Sequence, residues 1–326
     1  MLYALCFPHP QSQIYNLQFS LWPTVCIYLS GEIIIVTHDL WRTMTIKLSR
    51  RAWIRTIIYS SLAIGGGVGF GSTKRLEVVR QDLPLRGLAK KLDGLRIGVL
   101  SDFHAGAFTT RGDIARAVDA IENEKPDLIA LLGDYVDGAY SHSSNNVDKG
   151  AFIFDALKRL KAPLGVYAVL GNHDHWTDAG LVRKELTRLP LSLLDNRGVD
   201  LDHGLAVAGV DDFWEGPANT LKAIRNLNPE SVIVMLSHNP DVNLQMAEDD
   251  RVRLVIAGHT HGGQIRIPVI NQAPWIPCSW KYRGSSGLMR ETEHRWTFIT
   301  KGVGTFFVPV RLACPPDVGI LRLRRA

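Results

Sequence analysis

Residues 256–268 read IAGHTHGGQIRIP, which places two imidazoles, His259 and His261, one residue apart directly after an apolar run. Other apolar runs end in a similar way. LRIGVLSD is followed by Phe103 and His104, so that Asp102 and His104 flank one residue. PDLIALLGD ends on Asp134, with Asp137 three positions on, and LGVYAVLGN ends on Asn172 with His173 and Asp174 after it. SVIVMLS is followed by His238. An aspartate after a strand usually serves a turn, and a lone histidine is usually a satisfied surface or core residue. Five such endings in one chain are hard to explain as turn chemistry. Carboxylate, amide and imidazole groups without a thiolate suit borderline or hard divalent ions (Mn, Fe, Zn or Co) better than a closed structural zinc site. One carboxylate can bridge two such ions. A pair about 3.5–4 Å apart clamps the attacking and leaving oxygens of an in-line displacement, and a neighbouring histidine can protonate the departing alkoxide.

Something must deliver these groups to one place. From about residue 94 short apolar runs alternate with helix-period segments. Residues 95–102, 126–134 and 164–172 read as buried strands. Residues 111–123, 149–160 and about 178–189 read as helices, the first with Ile114, Ala117, Val118 and Ile121 on one face. Further strands are expected at 203–210, 231–237, 252–257, 296–301 and 317–324. The pattern is that of an α/β domain whose later half adds a second set of strands. In open α/β sheets ligand sites gather at the carboxyl ends of strands, where all five endings fall.

Composition sets the remaining bounds. Of 326 residues 46% are hydrophobic and 21% charged, which fits a globular protein with a sizeable core. The formal charge of +5 is modest, and its basic residues are scattered apart from a cluster near 42–55, so no nucleic-acid footprint is expected. Cys6, Cys26, Cys278 and Cys314 form no CxxC pair, and two of them, Cys278 and Cys314, could pair only in an oxidising compartment.

The N-terminal part has a different character. Residues 49–71, SRRAWIRTIIYSSLAIGGGVGFG, carry Arg50-Arg51 and then Trp53-Ile54-Arg55 ahead of a weakly apolar, glycine-rich run. The segment resembles a twin-arginine export signal. Its apolar run, Ile57–Gly71, is short for a spanning helix, which needs about 20 residues, and no A-x-A cleavage site follows it. Residues 44–73 are therefore expected to act as a signal or membrane anchor, with the export machinery and the membrane as partners. Residues 1–43 show no clean helical or strand period and are read as an N-terminal extension ahead of a start at Met44. Basic residues flank the apolar run on both sides, so the positive-inside rule assigns no orientation.

The motifs D-x-H (Asp102/His104), GDYVD (133–137), GNHD (171–174), His238 and GHTH (258–261), in that order, resemble the calcineurin-like metallophosphoesterase superfamily. The likeness covers roughly 94–326. GHTHGGQIRIP and KGVGTFFVPVRLACPPDVGIL (301–321) are similar to a bacterial branch of exported or membrane-associated phosphodiesterases. Phe103 between Asp102 and His104, and Ser237 before His238, depart from the commoner Leu and Gly of that superfamily without touching a ligand position. The resemblance implies a four-layer α-β-β-α sandwich of two mixed β-sheets flanked by helices, occupying residues 74–326. It implies that Asp102, His104 and His261 hold a first metal, that Asn172, His238 and His259 hold a second, and that Asp134 bridges. His173 would be the leaving-group acid, with Asp174 orienting its ring. Residues two apart on an extended segment share a face, which would let His259 and His261 reach one dinuclear centre. Gly262-Gly263 either admits a phosphate or forms a plain turn.

The function so implied is metal-dependent hydrolysis of a phosphodiester or phosphomonoester by hydroxide generated at the metals, without a covalent intermediate. The catalytic domain is expected outside the cytoplasm. The alternative is a pyrophosphate hydrolase acting on a lipid-linked nucleotide sugar of the UDP-2,3-diacylglucosamine type, which requires the cytoplasmic face of the membrane. A non-catalytic scaffold on the same fold is disfavoured by the intact His173 and Asp134. Asp137 is read as a support or cap, Trp176 and Trp214 as walls of the mouth or ordinary aromatics. Arg266, Arg283 and Arg311 are candidates for phosphate contact or plain surface residues.

Overall fold

In the computed structural model residues 3–5, 12–19, 22–29, 32–39, 42–49, 73–138, 145–246, 251–267, 272–274, 276–279, 286–306 and 308–326 are described. The chain divides into two compact units, Met1–Gly67 and Val68–Ala326.

In the first unit β1 (Tyr3–Leu5), β2 (Ser12–Phe19), β3 (Trp22–Leu29), β4 (Glu32–Asp39) and β5 (Arg42–Ser49) pair in order as an antiparallel sheet. The sequence shows no strand period here because runs such as Ile33-Ile34-Ile35 mask the alternation. The β-branched and aromatic content carries the strands instead. β5 runs through Met44, across the boundary expected between an extension and a signal. Residues 50–72, with Arg50-Arg51 and the apolar run, lie outside the described residues. No described helix is long and apolar enough to cross a membrane.

The second unit follows the expected alternation. β6 (Glu77–Leu85) and β7 (Arg96–Leu100) precede α1 (Arg111–Glu124), whose Thr110 and Asp113 cap each other reciprocally. Then come β8 (Leu128–Leu131), α2 (Asn145–Gly150), α3 (Phe152–Leu157), β9 (Val166–Ala168), α4 (Asn172–Thr187) and β10 (Ser192–Leu193). β11 (Arg197–Leu201), β12 (Leu205–Gly209), α5 (Thr220–Ile224), β13 (Val232–Leu236), β14 (Val252–Ala257), β15 (Gly287–Arg290), β16 (Trp296–Ile299) and β17 (Asp317–Arg325) complete it. One sheet has the order β10-β9-β8-β7-β17-β6, and the other β11-β12-β13-β14-β16-β15. Both are mixed. β17 is antiparallel to β7 and parallel to β6, while β11 and β15 are the antiparallel edges of the second sheet.

Alternation along the central strands builds the layers. Ile97, Val99, Leu128 and Ala130 point from the first sheet to meet Val207, Val234, Leu254 and Ile256 of the second. Leu100, Ile129 and Leu131 face the other way, against Ile114, Val118, Phe154 and Leu186 of the helices. Ile233, Met235 and Val255 pack on Ala223 and Ile224 of α5 and on Val242. The result is helices, sheet, sheet, helix, with an apolar interior between every pair of layers. β7, β8 and β9, and separately β13 and β14, run parallel within their sheets, so each set ends on a common edge.

Candidate metal centre

Each motif sits one to four residues beyond a strand, where the backbone must turn sharply. Asp102 (φ 51°), His104 (φ 44°), Asp134 (φ 55°), His259 (φ 68°) and His261 (φ 49°) all adopt the left-handed region. That conformation is costly for a residue with a side chain and collects at functional sites. The loops hold one another in it: Phe103 and His104 donate their amides to Asp134 O (2.9 and 3.0 Å), and Asp102 N donates to Gly133 O (3.1 Å). His259 N donates to both Asp102 carboxylate oxygens, at 3.0 and 3.1 Å. Gly258 makes this possible, since a Cβ there would collide with the Asp102 carboxylate and the Ser101 hydroxyl.

Two cages result. In the first, Asp102, His104 and His261 converge: His104 Nε2 lies 3.0 Å from His261 Nε2, and His261 Nε2 lies 3.4 Å from Asp102 Oδ1. In the second, His238 Nε2 lies 3.1 Å from Asn172 Oδ1 and 3.1 Å from His259 Nδ1. Asp134 stands between them. Its Oδ2 is 3.5 Å from His104 Nε2 and 3.2 Å from His238 Nε2, while its Oδ1 accepts from His173 N at 2.9 Å. One carboxylate oxygen is therefore shared by both cages, and all these side chains are buried.

The donor set fits a pair of cations. His238 Nδ1 is bonded to Leu132 O (2.8 Å) and His259 Nε2 to Pro277 O (2.6 Å). A nitrogen facing a carbonyl must carry its proton, so the opposite nitrogen of each ring is the one left to face a cation. Burial holds His104 and His261 well below the ordinary imidazole range and His259 down to about 3, which keeps the ligating, neutral form. His238 behaves oppositely. Burial works against its charged form, yet the Asp134 carboxylate overrides burial and raises it to about 10. Burial pushes Asp102 up to about 6. Burial works against the Asp134 carboxylate too, but the surrounding imidazoles hold it well below the ordinary carboxylate range, and a buried site with a charged carboxylate that draws positive charge to an imidazole is complementary to divalent cations.

His173 lies beside both cages. Its ring meets His104 edge to face at 4.5 Å, Trp176 at 4.7 Å and Phe306 at 5.3 Å. Asp174 does not orient it, contrary to the sequence expectation. The Asp174 carboxylate is spent on three backbone amides, those of Asp134, Tyr135 and Gly171, each at 2.9 Å. It stands at the third position of α4, where capping of the helix start outcompetes a side-chain partner. His173 Nδ1 has no hydrogen-bond partner among the described residues. Asp174 thus fixes the GDYVD and GNHD loops against each other, and aromatic packing fixes the His173 ring.

The His259–His261 segment is not extended. Thr260 is helical (φ −75°), and its hydroxyl oxygen accepts from Gly262 N at 3.1 Å, so the two rings go to different cages. Gly262 and Gly263 (φ 60° and 81°) form this turn, and a Cβ on either would strike Cys314 or Ala273, which supports the plain-turn reading. Arg311 is wholly buried and donates to the carbonyls of Lys301 (2.7 Å), Gly302 (3.3 Å), Gly304 and Cys314 (3.1 Å), with His261 Nδ1 at 3.4 Å. It clamps the loop after β16 behind His261 rather than meeting a phosphate. Arg266 is buried and donates to Gly262 O (2.6 Å) and Ser286 Oγ (3.0 Å); Arg283 lies outside the described residues. Asp137 N donates to Ala105 O at 3.2 Å, a loop contact. Trp214 caps His259 edge to face at 4.4 Å and remains 44% exposed, so it and Trp176 do flank the site. Cys278 and Cys314 are free thiols. Sequence reasoning missed Phe306, whose ring lies over His104, His173 and His261. Its signal was its place in GVGTFF, in the loop that follows β16.

A family model described as calcineurin-like phosphoesterase matches residues 95–263. The chain is similar to the phosphodiesterase YaeI of Escherichia coli (strain K12), with 30% identity over 289 residues, covering 85% of this chain and 99% of that protein. It is similar to the metallophosphoesterase YkuE of Bacillus subtilis (strain 168), with 26% identity over 296 residues, covering 85% and 98%. A further relative is the UDP-2,3-diacylglucosamine pyrophosphatase LpxG of Chlamydia muridarum (strain MoPn / Nigg), 26% identical over 302 residues, covering 76% and 89%.

Proposed function

The chain belongs to the calcineurin-like phosphoesterase family, as a metal-dependent hydrolase with a dinuclear centre, and from that premise we propose that its own reaction is hydrolysis of a phosphodiester or phosphomonoester at the Asp134-centred site. The observation that carries this reading is the single Asp134 oxygen shared by two ligand cages, with His173 beside them. Held by Asp102, His104, His261 and Asp134 on one side and by Asn172, His238, His259 and Asp134 on the other, two divalent ions would supply Lewis acidity toward phosphoryl oxygens and bring the pKa of a water near neutrality. The chain's own residues do the rest. Asp134 Oδ1 accepts from His173 N and so fixes the start of α4 against the site. The His173 imidazole, held between Trp176 and Phe306, is placed to give a proton to the departing oxygen. Burial lowers its proton affinity, and a phosphoester anion alongside opposes that shift. Trp214 and Phe306 cover the flanks and limit water.

The second reading is hydrolysis of a pyrophosphate bond in a lipid-linked nucleotide sugar. The similarity to LpxG supports it, without favouring it over simple ester hydrolysis. Location separates the two. The Arg50-Arg51 segment supports a membrane-associated protein exported by the twin-arginine route, with the catalytic unit outside the cytoplasm, whereas nucleotide sugars are cytoplasmic. The test measures metal content, then turnover of a phosphomonoester, a phosphodiester and a diacylated nucleotide sugar side by side, with and without Mn. Two metals per chain and diester turnover support the leading reading; turnover confined to the nucleotide sugar replaces it. A reporter fusion after residue 326, active only in the periplasm or only in the cytoplasm, decides the location.

A further inference from the structure

Beside the metal centre lies a cavity of about 310 Å³, whose lining includes His261, Gln264, Ile265, Pro277, Phe306 and Val308. Its size falls in the range of small-ligand sites, about 300–1,000 Å³. It shares a wall with the first cage, because His261 lines the cavity and also faces Asp102 and His104. Phe306 is the second common element, over the histidines on one side and in the cavity lining on the other.

The lining is apolar in a particular way. Ile265 and Val308 are 40% and 47% exposed, a high value for such side chains beside a reaction centre. Gln264 brings the longest polar side chain, and both of its ends are engaged: Nε2 donates to Phe306 O (2.9 Å) and Val308 O (3.1 Å), and Oε1 accepts from Phe306 N (2.7 Å). The Pro277 carbonyl accepts from His259 Nε2. These groups hold Phe306, Val308 and the second cage. They are not left to read a base or a sugar, whose unpaired polar edges would be penalised there. A flexible hydrocarbon chain meets no such penalty.

We propose that this cavity is a subsite for the alkyl or acyl chain of a phosphoester whose phosphate sits at the metal centre, so that the substrate class is an amphiphilic, lipid-like phosphoester. The proposal rests on the phosphoester-hydrolase reading above and deepens it. Each methylene that leaves water in the cavity raises kcat/KM about fourfold until the cavity is full.

The test uses the full chain with Mn and a series of 4-nitrophenyl alkyl phosphodiesters from methyl to octyl. Binding of methyl-, butyl- and octylphosphonate is followed by calorimetry on the same preparation. The expected result is a rise in kcat/KM and in phosphonate affinity with chain length. Val308→Asp and, separately, Ile265→Asp should flatten both series by at least tenfold at octyl, leaving methyl-ester turnover and metal content unchanged. Flat series in the unsubstituted protein, with the methyl ester still hydrolysed, overturn the subsite and spare the hydrolase reading. Loss of all ester turnover while phosphonate affinity climbs with chain length overturns the hydrolase reading and spares the subsite. If a second copy or another segment of the chain fills the cavity, the phosphonate series is flat and Val308→Asp changes the oligomeric mass or the melting temperature, which also overturns the proposal.

Discussion

The two cages share Asp134 but are built differently. The second takes an amide and two imidazoles, Asn172, His238 and His259, and both of its imidazoles are oriented by backbone carbonyls, Leu132 O and Pro277 O. The first adds a second carboxylate, Asp102, and orients its rings less firmly: His104 Nδ1 has no hydrogen-bond partner among the described residues, and His261 Nδ1 has only the long approach of Arg311 at 3.4 Å. One half therefore attracts a cation by charge and the other by the fixed orientation of its donors. A dinuclear site needs both, because a second full set of carboxylates in so buried a place would raise one another's pKa until they ceased to ionise. Burial has already pushed Asp102 up to about 6 and, with Asp134 beside it, Asp174 to about 7.

The harshest way to break the comparison is to remove what the halves share. Asp134→Asn should lose both metals and several kcal/mol of transition-state stabilisation, ~10³-fold or more in rate. Metal analysis that still finds two ions per chain would remove the bridging role. Next in size is His173→Ala, whose ring stands beside His104 and Asp134. Turnover of an ester with a poor leaving group should fall ~10²–10⁴-fold while metal content stays at the wild-type level; an unchanged rate excludes it as the acid. A finer cut separates the halves. Under limiting Mn, Asp102→Asn should abolish the tighter of two binding events and His259→Ala the weaker, read by calorimetric titration. The reverse assignment would mean that orientation outweighs charge. The smallest effect lies at the rim. His175 Nε2 is 2.7 Å from Asp211 Oδ1, and although burial works against its charge, that carboxylate raises its pKa. This stabilisation is full below the ordinary 6.5 and is lost as pH rises through the raised value. The melting-temperature gap between wild type and Asp211→Asn should therefore be wider at pH 6 than at pH 9, and an equal gap at both denies the contact any charge.

Much of this was legible in residue order. The buried strands β7, β8, β13 and β14 announced themselves as unbroken apolar runs, because a strand covered on both faces needs no alternation. β6 was not legible. It lies at a sheet edge, carries Pro84, and owes its place to β17, its partner from the far end of the chain. The helix expected from about 178 is the later part of α4, where Asp178 breaks the helical backbone and caps Leu181 N at 2.9 Å. The first turn, with Asn172 and His173, has no apolar period to reveal it.

The sequence by itself determined the donor types, their order and the ends of the strands that carry them, since these follow from local polarity and chain periodicity. Tertiary structure alone decided which ring nitrogen faces inward, that Asp174 serves the backbone and not His173, that Arg311 is a buried clamp, and that Phe306 joins the site. Apart from the carbonyls close in sequence that Arg311 clamps, these depend on hydrogen-bond and packing partners tens to hundreds of residues away. Competition for such partners is settled only when the two sheets have brought their loops to one edge.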